Sequence, residues 1–143
     1  MTKIFGDTRE ILTNTVTLIT SLTASRAVTD GLGILSEIAG AITTDGSEQN
    51  IYVNEAPAGV YVPRTLKIDC TSHTAGETIV IREYYRIETG GAYLEHDELT
   101  FAGAIAEDGI TVHLDPNRYG IKVTIEKTAG NNRAYVWEVT YEV

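Results

Sequence analysis

The spacing of apolar residues changes once along this chain, near residue 45, and that change limits the folds open to it. From residue 48 onward the period is two, the mark of strands with one buried face. Ile51, Val53, Val60 and Val62 flank a turn at Ala56-Pro57-Ala58-Gly59. Leu66, Ile68 and Cys70 share one face of the next run, with Lys67 and Asp69 on the other. Ile79, Ile81, Tyr85 and Ile87 alternate with Arg82, Tyr84, Arg86 and Glu88. Residues 93–101 are more polar, as an edge strand is. Ile110, Val112 and Leu114 precede a turn signal at Asp115-Pro116-Asn117, where Pro presets φ. Ile121, Val123 and Ile125 alternate with Lys122, Thr124 and Glu126. Tyr135, Trp137, Val139, Tyr141 and Val143 form the last apolar face. About seven short strands with turns between them predict a mainly β fold, an antiparallel β-sandwich of jelly-roll-like form. The tripeptide Thr-Ala-Gly stands at 74–76 and again at 128–130. Each copy lies between two runs, a repeated hairpin device.

Before residue 45 apolar residues recur three and four apart. Ile4, Ile11 and Leu18 are joined by Leu12, Ile19 and Leu22; Val28, Leu32, Leu35, Ala39 and Ile42 then follow a 4-3-4-3 spacing. That is the seam of a heptad repeat and predicts a helical N-terminal arm. Ser25 interrupts the seam, and Gly31 and Gly33 each weaken a helix by roughly 1 kcal/mol, so a break is expected near residues 24–26. The polar stretch Thr43-Thr44-Asp45-Gly46-Ser47 is the expected boundary. It divides a helical or extended arm, 1–45, serving oligomerisation or attachment, from a β-sandwich head, 46–143. The arm folds onto its own head, pairs with copies of itself or with a partner, or is locally disordered. In the second case Ile11, Leu18, Leu22, Val28, Leu32, Leu35 and Ile42 are the interface residues.

Charge and composition narrow the function. The 143 residues hold 11 Lys and Arg against 20 Asp and Glu, a formal charge of −9. A nucleic-acid surface needs the reverse balance. No run approaches the roughly 18 apolar residues of a membrane span, and the opening MTKIFGDTRE lacks the apolar core of a secretory signal. The expectation is a protein that binds neither nucleic acid nor membrane and is made in a cytoplasm. The single Cys excludes an internal disulfide.

Candidate chemistries are weak. His73, His96 and His113 lack zinc-ligand spacing and read as solvated surface residues. Glu95, Asp97, Glu98, Glu107 and Asp108 form an acidic rim without a calcium-loop pattern. No nucleophile elbow surrounds any Ser, and Cys70 reads as an inward, unreactive thiol. Gly31-x-Gly33 fits no phosphate-binding fingerprint. The expectation is therefore a non-enzyme with no catalytic, metal or cofactor-binding residues. Arg82, Tyr84 and Arg86, on an outward face, are a possible surface contact, because Tyr and Arg anchor interfaces. An exposed Tyr84 would equally suit a carbohydrate- or ligand-binding β-sandwich module, the alternative function. A hydrolase would require a carboxylate of raised pKa in a cleft.

Three stretches carry a likeness to known proteins: the linker Thr-Asp-Gly-Ser-Glu-Gln at 44–49, the hairpin around Thr74-Ala75-Gly76, and the closing Thr-Ala-Gly-Asn-Asn-Arg-Ala-Tyr-Val-Trp-Glu-Val from 128. With the two-part layout, the chain resembles small accessory virion proteins of tailed phages and archaeal viruses, of the capsid-decoration or head-fibre type. The resemblance implies a structural role in a virion and a homo-oligomer, a trimer by preference. It also implies attachment through the arm to a capsid or other particle protein.

Overall fold

The computed structural model describes residues 35–55 and 59–142. They form eight strands: β1 (Leu35–Thr43), β2 (Glu48–Asn54), β3 (Val62–Asp69), β4 (Thr78–Tyr85), β5 (Leu94–Ala102), β6 (Gly109–His113), β7 (Ile121–Ala129) and β8 (Ala134–Glu142). Two four-stranded sheets result, ordered β1-β8-β3-β6 (sheet A) and β2-β7-β4-β5 (sheet B), with every pairing antiparallel. The chain changes sheet at every connection except β4–β5, which is the jelly-roll order. The expected mainly β sandwich is the observed architecture.

Period-two patterning places the core. Leu66, Ile68, Ile110, Val112, Tyr135 and Val139 of sheet A meet Ile79, Ile81, Ile121, Val123 and Ile125 of sheet B in one buried cluster. Burying each such side chain contributes about 1.5–3 kcal/mol. The edge of the cluster is lined by half-buried Ile42, Tyr61, Leu99, Phe101 and Trp137. In β2 the register slips between Asn50 and Tyr52. This bulge buries both Ile51 and Tyr52 and turns Val53 outward, 36% exposed.

The helical reading fails at its C-terminal end. Leu35, Ala39 and Ile42 belong to β1, which pairs with β8 over its full length without a register shift. Paired residues place Ser36, Ile38, Gly40 and Ile42 on the same face of sheet A as Tyr141, Val139, Trp137 and Tyr135. The alternation is hidden in the sequence because two of its four inward positions are Ser and Gly. The 43–47 stretch is the β1–β2 connection, where the Asp45 carboxylate accepts from the Ser47 N–H at 2.8 Å and Gly46 takes a positive φ. The rest of the expected arm, residues 1–34, lies outside the described residues.

Candidate functional site

Sheet B presents an outward face in which Arg82, Tyr84 and Arg86 are already engaged within the chain. Arg82 lies between neighbours on both sides. Its Nε donates to Glu98 of β5 at 2.7 Å, its Nη1 donates to Glu126 of β7 at 2.7 Å, and Glu48 stands 3.6 Å away. Glu48 accepts in turn from the Tyr84 hydroxyl and from Thr124 Oγ1, each at 2.6 Å. The Lys122 ammonium sits 4.0 Å from the Tyr84 ring centre, and the Arg86 guanidinium lies 4.1 Å over Tyr93. Cation–π contact and ionic hydrogen bonds therefore occupy the groups a partner would need. The Tyr84 ring thus carries a cation nearby and its hydroxyl is held by Glu48.

At one end of the sandwich, a buried carboxylate appears that composition alone did not nominate. Glu83 points inward from β4 at 5% exposure. Burial pushes its pKa above the ordinary carboxyl value, against the pull of the Tyr85 hydroxyl that donates to it. The Tyr85 hydroxyl also accepts from the Asp115 N–H at 2.9 Å, and the His96 ring meets Tyr85 edge-on at 5.0 Å. A hollow of about 340 Å³ lies outside this cluster, lined among others by Tyr85, His96, Asp115, Asn117 and Arg118. Glu83 is not among the lining residues; Tyr85 stands between it and the hollow.

A second buried acid is structural. Glu77, 1% exposed, accepts from Arg133 Nε at 2.8 Å and Nη2 at 2.7 Å, and from the Thr74 N–H. The Arg133 hydrogen bonds, outweighing burial, hold its pKa at about 2. The two Thr-Ala-Gly turns meet here. Gly130 has φ +82°, and a Cβ on it would stand 2.6 Å from the Gly76 carbonyl oxygen. The two copies of the tripeptide thus build one packed corner between them.

His73 departs from the surface reading. It is 8% exposed, with Nδ1 2.8 Å from the Tyr135 hydroxyl. His96 and His113 are not buried. Cys70 is buried, and burial raises its thiol to about 11, which suppresses the thiolate. Glu95, Asp97 and Glu98 lie on β5, and Glu107 and Asp108 precede β6. Among the described residues, no three His, Cys, Asp or Glu side chains converge to hold a metal ion.

The four sheet edges differ most. Edge strands expose unpaired backbone groups and are normally guarded by charge, bulges or brevity. β5 carries exposed Glu95, Asp97 and Glu98, β2 is bulged, and β6 has five residues. β1 has nine residues, a regular register and one charge, Glu37. It also exposes Leu35 (65%) and Ile38 (46%). On the outward face beside it, Ala39, Val136 and Thr111 help line a shallow groove of about 540 Å³, closed in by the Lys67–Glu138 ion pair. Of the expected interface residues, Ile11, Leu18, Leu22, Val28 and Leu32 lie outside the described residues. Leu35 stands exposed at the start of β1, and Ile42 packs on the core rim.

No family model matches the chain, and no curated protein matches it. Among solved structures, a chain from Bacillus endospore appendages, described as forming a novel family of disulfide-linked pili, aligns at 15% identity with a TM-score of 0.42. The alignment covers 77% of this chain and 88% of that one. A likeness this distant carries no argument about function, and none of these comparisons links the chain to accessory virion proteins.

Proposed function

We propose that this chain is a non-enzymatic structural protein that self-associates and displays its jelly-roll head on a larger particle, a virion or an assembly of that kind. The residues before β1 act as the attaching and oligomerising arm. One observation carries the reading: among the described residues, β1, the strand that follows the arm in sequence, is the one edge strand that is long, regular and nearly free of charge. Exposed Leu35 and Ile38, on a strand whose outer edge pairs with none of the described residues, favour burial against another chain, at roughly 25 cal/mol per Å² of apolar surface. The heptad spacing of Ile11, Leu18, Leu22, Val28 and Leu32 makes a trimeric arm the natural count, with a capsid or other particle protein as its attachment partner.

Light scattering on a sizing column tests this. The full chain should elute as a multiple of its own mass, and Leu32→Asp with Leu35→Asp should return it to a monomer with the head folded. A wild-type monomer at all concentrations, or unfolding of the head in the double variant, would overturn the proposal.

The ligand-binding alternative retains one supporting observation, the hollow beside Tyr85, His96, Asp115 and Arg118. Its volume, about 340 Å³, lies at the low end of small-molecule sites. A glycan array comparing the wild type with Arg118→Ala tests it; loss of a signal in the variant would favour this reading over assembly alone.

A further inference from the structure

We infer that β1 pairs with the β1 of a second copy, antiparallel and about a two-fold axis through Ala39, joining two A sheets into one of eight strands. This rests on the self-association reading above and names its contact.

Three features of the strand argue for a copy of itself as occupant. The first is charge. Two chains of −9 meet only where carboxylates are sparse. In a full nine-residue overlap of β5 with itself, Glu98 would lie opposite Glu98, with Asp97 beside it on each strand. In a full nine-residue overlap of β1 with itself, Leu35 lies opposite Thr43, Glu37 opposite Ala41, and Ala39 opposite Ala39, so no like charges oppose.

The second feature is shape. In the same register the second copy's Ile38 lies across from Gly40. Gly40 has no side chain because the Trp137 ring fills that space: a Cβ there would be 2.7 Å from the indole Cζ2. An incoming Ile38 therefore packs over glycine onto the rim of a half-buried indole. This covers the large apolar side chain that β1 leaves 46% exposed on its inward face.

The third feature is continuity. On the outward face, Ala41 pairs with Val136, which is 56% exposed. The Ala39–Ala41–Val136 strips of the two copies would join across the axis into one apolar band. A two-fold contact between heads, added to an arm of higher count, links oligomers into a closed or extended assembly.

Cysteine cross-linking of the full chain tests the register. Opposed residues in an antiparallel pair have Cα atoms about 4.5 or 5.5 Å apart, within the span of a disulfide. Ala39→Cys should oxidise to a covalent dimer. Leu35→Cys and Thr43→Cys should each link poorly alone and efficiently when co-expressed. Thr111→Cys, on the other edge of sheet A, is the control and should stay monomeric on a non-reducing gel. As an independent check, Ile38→Lys should weaken the head contact at least tenfold in dissociation constant while the circular dichroism spectrum holds. No cross-link at residue 39 in a chain that scatters as a multimer would overturn this contact and leave the assembly reading intact. Linkage of Ala39→Cys to Thr111→Cys would overturn it in favour of head-to-tail sheet extension. A monomeric full chain would remove both.

Discussion

Gly40 of β1 stands directly across from Trp137 of β8, and its missing side chain leaves the space the indole fills. The same indole meets Tyr52 of sheet B edge-on at 6.5 Å. One glycine thus lets a large ring close the gap between the sheets at the β1–β2 side. Gly40→Ala should destabilise the head by about 1–3 kcal/mol, the usual penalty of overpacking. Trp137 is the only tryptophan, so its fluorescence reads this site alone. A chemical melt with an unchanged midpoint and spectrum would show that the ring yields freely.

Acid should loosen the Thr-Ala-Gly corner. The folded pKa of Glu77 is about 2, well below its ordinary 4.5. Its ion pair with Arg133 therefore stabilises the fold fully above pH 4.5, and that contribution is lost as pH falls from 4.5 towards 2. Glu77→Gln should lower the melting temperature at pH 7 and flatten its dependence on pH across that window. An equally steep acid limb in the variant would place the titrating group elsewhere.

Glu83 should behave in the opposite sense. Burial raises its pKa, with Asp115 and Asp97 adding to the rise and His96 opposing it. Its ionisation costs stability, so stability from this group declines as pH rises through the folded value. Glu83→Gln keeps an acceptor for the Tyr85 hydroxyl and removes the buried charge. The melting temperature should rise at pH 8 and change little at pH 4. A drop at pH 8 would mean that the carboxylate is needed by its neighbours.

The carboxylates on the outer face of sheet B should depend chiefly on Arg82, which reaches three of them. Arg82→Met leaves Glu48, Glu98 and Glu126 facing one another without their shared partner. The expected loss is about 2 kcal/mol, the scale of hydrogen bonds to charged groups, and it should shrink in high salt as repulsion is screened. A salt-independent loss would point to packing of the Arg82 stem instead.

The sandwich was legible from residue 48 onward because most strands there alternate buried with wetter positions. Leu66-x-Ile68, Ile79-x-Ile81, Ile121-x-Val123-x-Ile125 and Tyr135 to Val139 announce both the strand and its inward side. β1 was not legible. Its inward series is Ser36, Ile38, Gly40, Ile42, and the weight of the apolar pattern falls instead on Leu35, Ala39 and Ile42 at helical spacing. His73 looked like a surface residue because a turn is usually wet, and only Tyr135, 62 residues away, explains its burial. The engagement of Arg82 and Tyr84 was not legible because their neighbours, Glu48, Glu98, Lys122 and Glu126, come from three other strands.

The sequence by itself determined the alternation, and with it the two-sheet core and the positions of most turns, because burial of one face depends only on which residues recur at a period of two. The tertiary structure alone decided which charges meet, which glycine admits a tryptophan, and which strands form the four edges among the described residues. Those depend on strand order, and strand order joins β1 to β8 and β2 to β7 across most of the chain. No local pattern carries that distance.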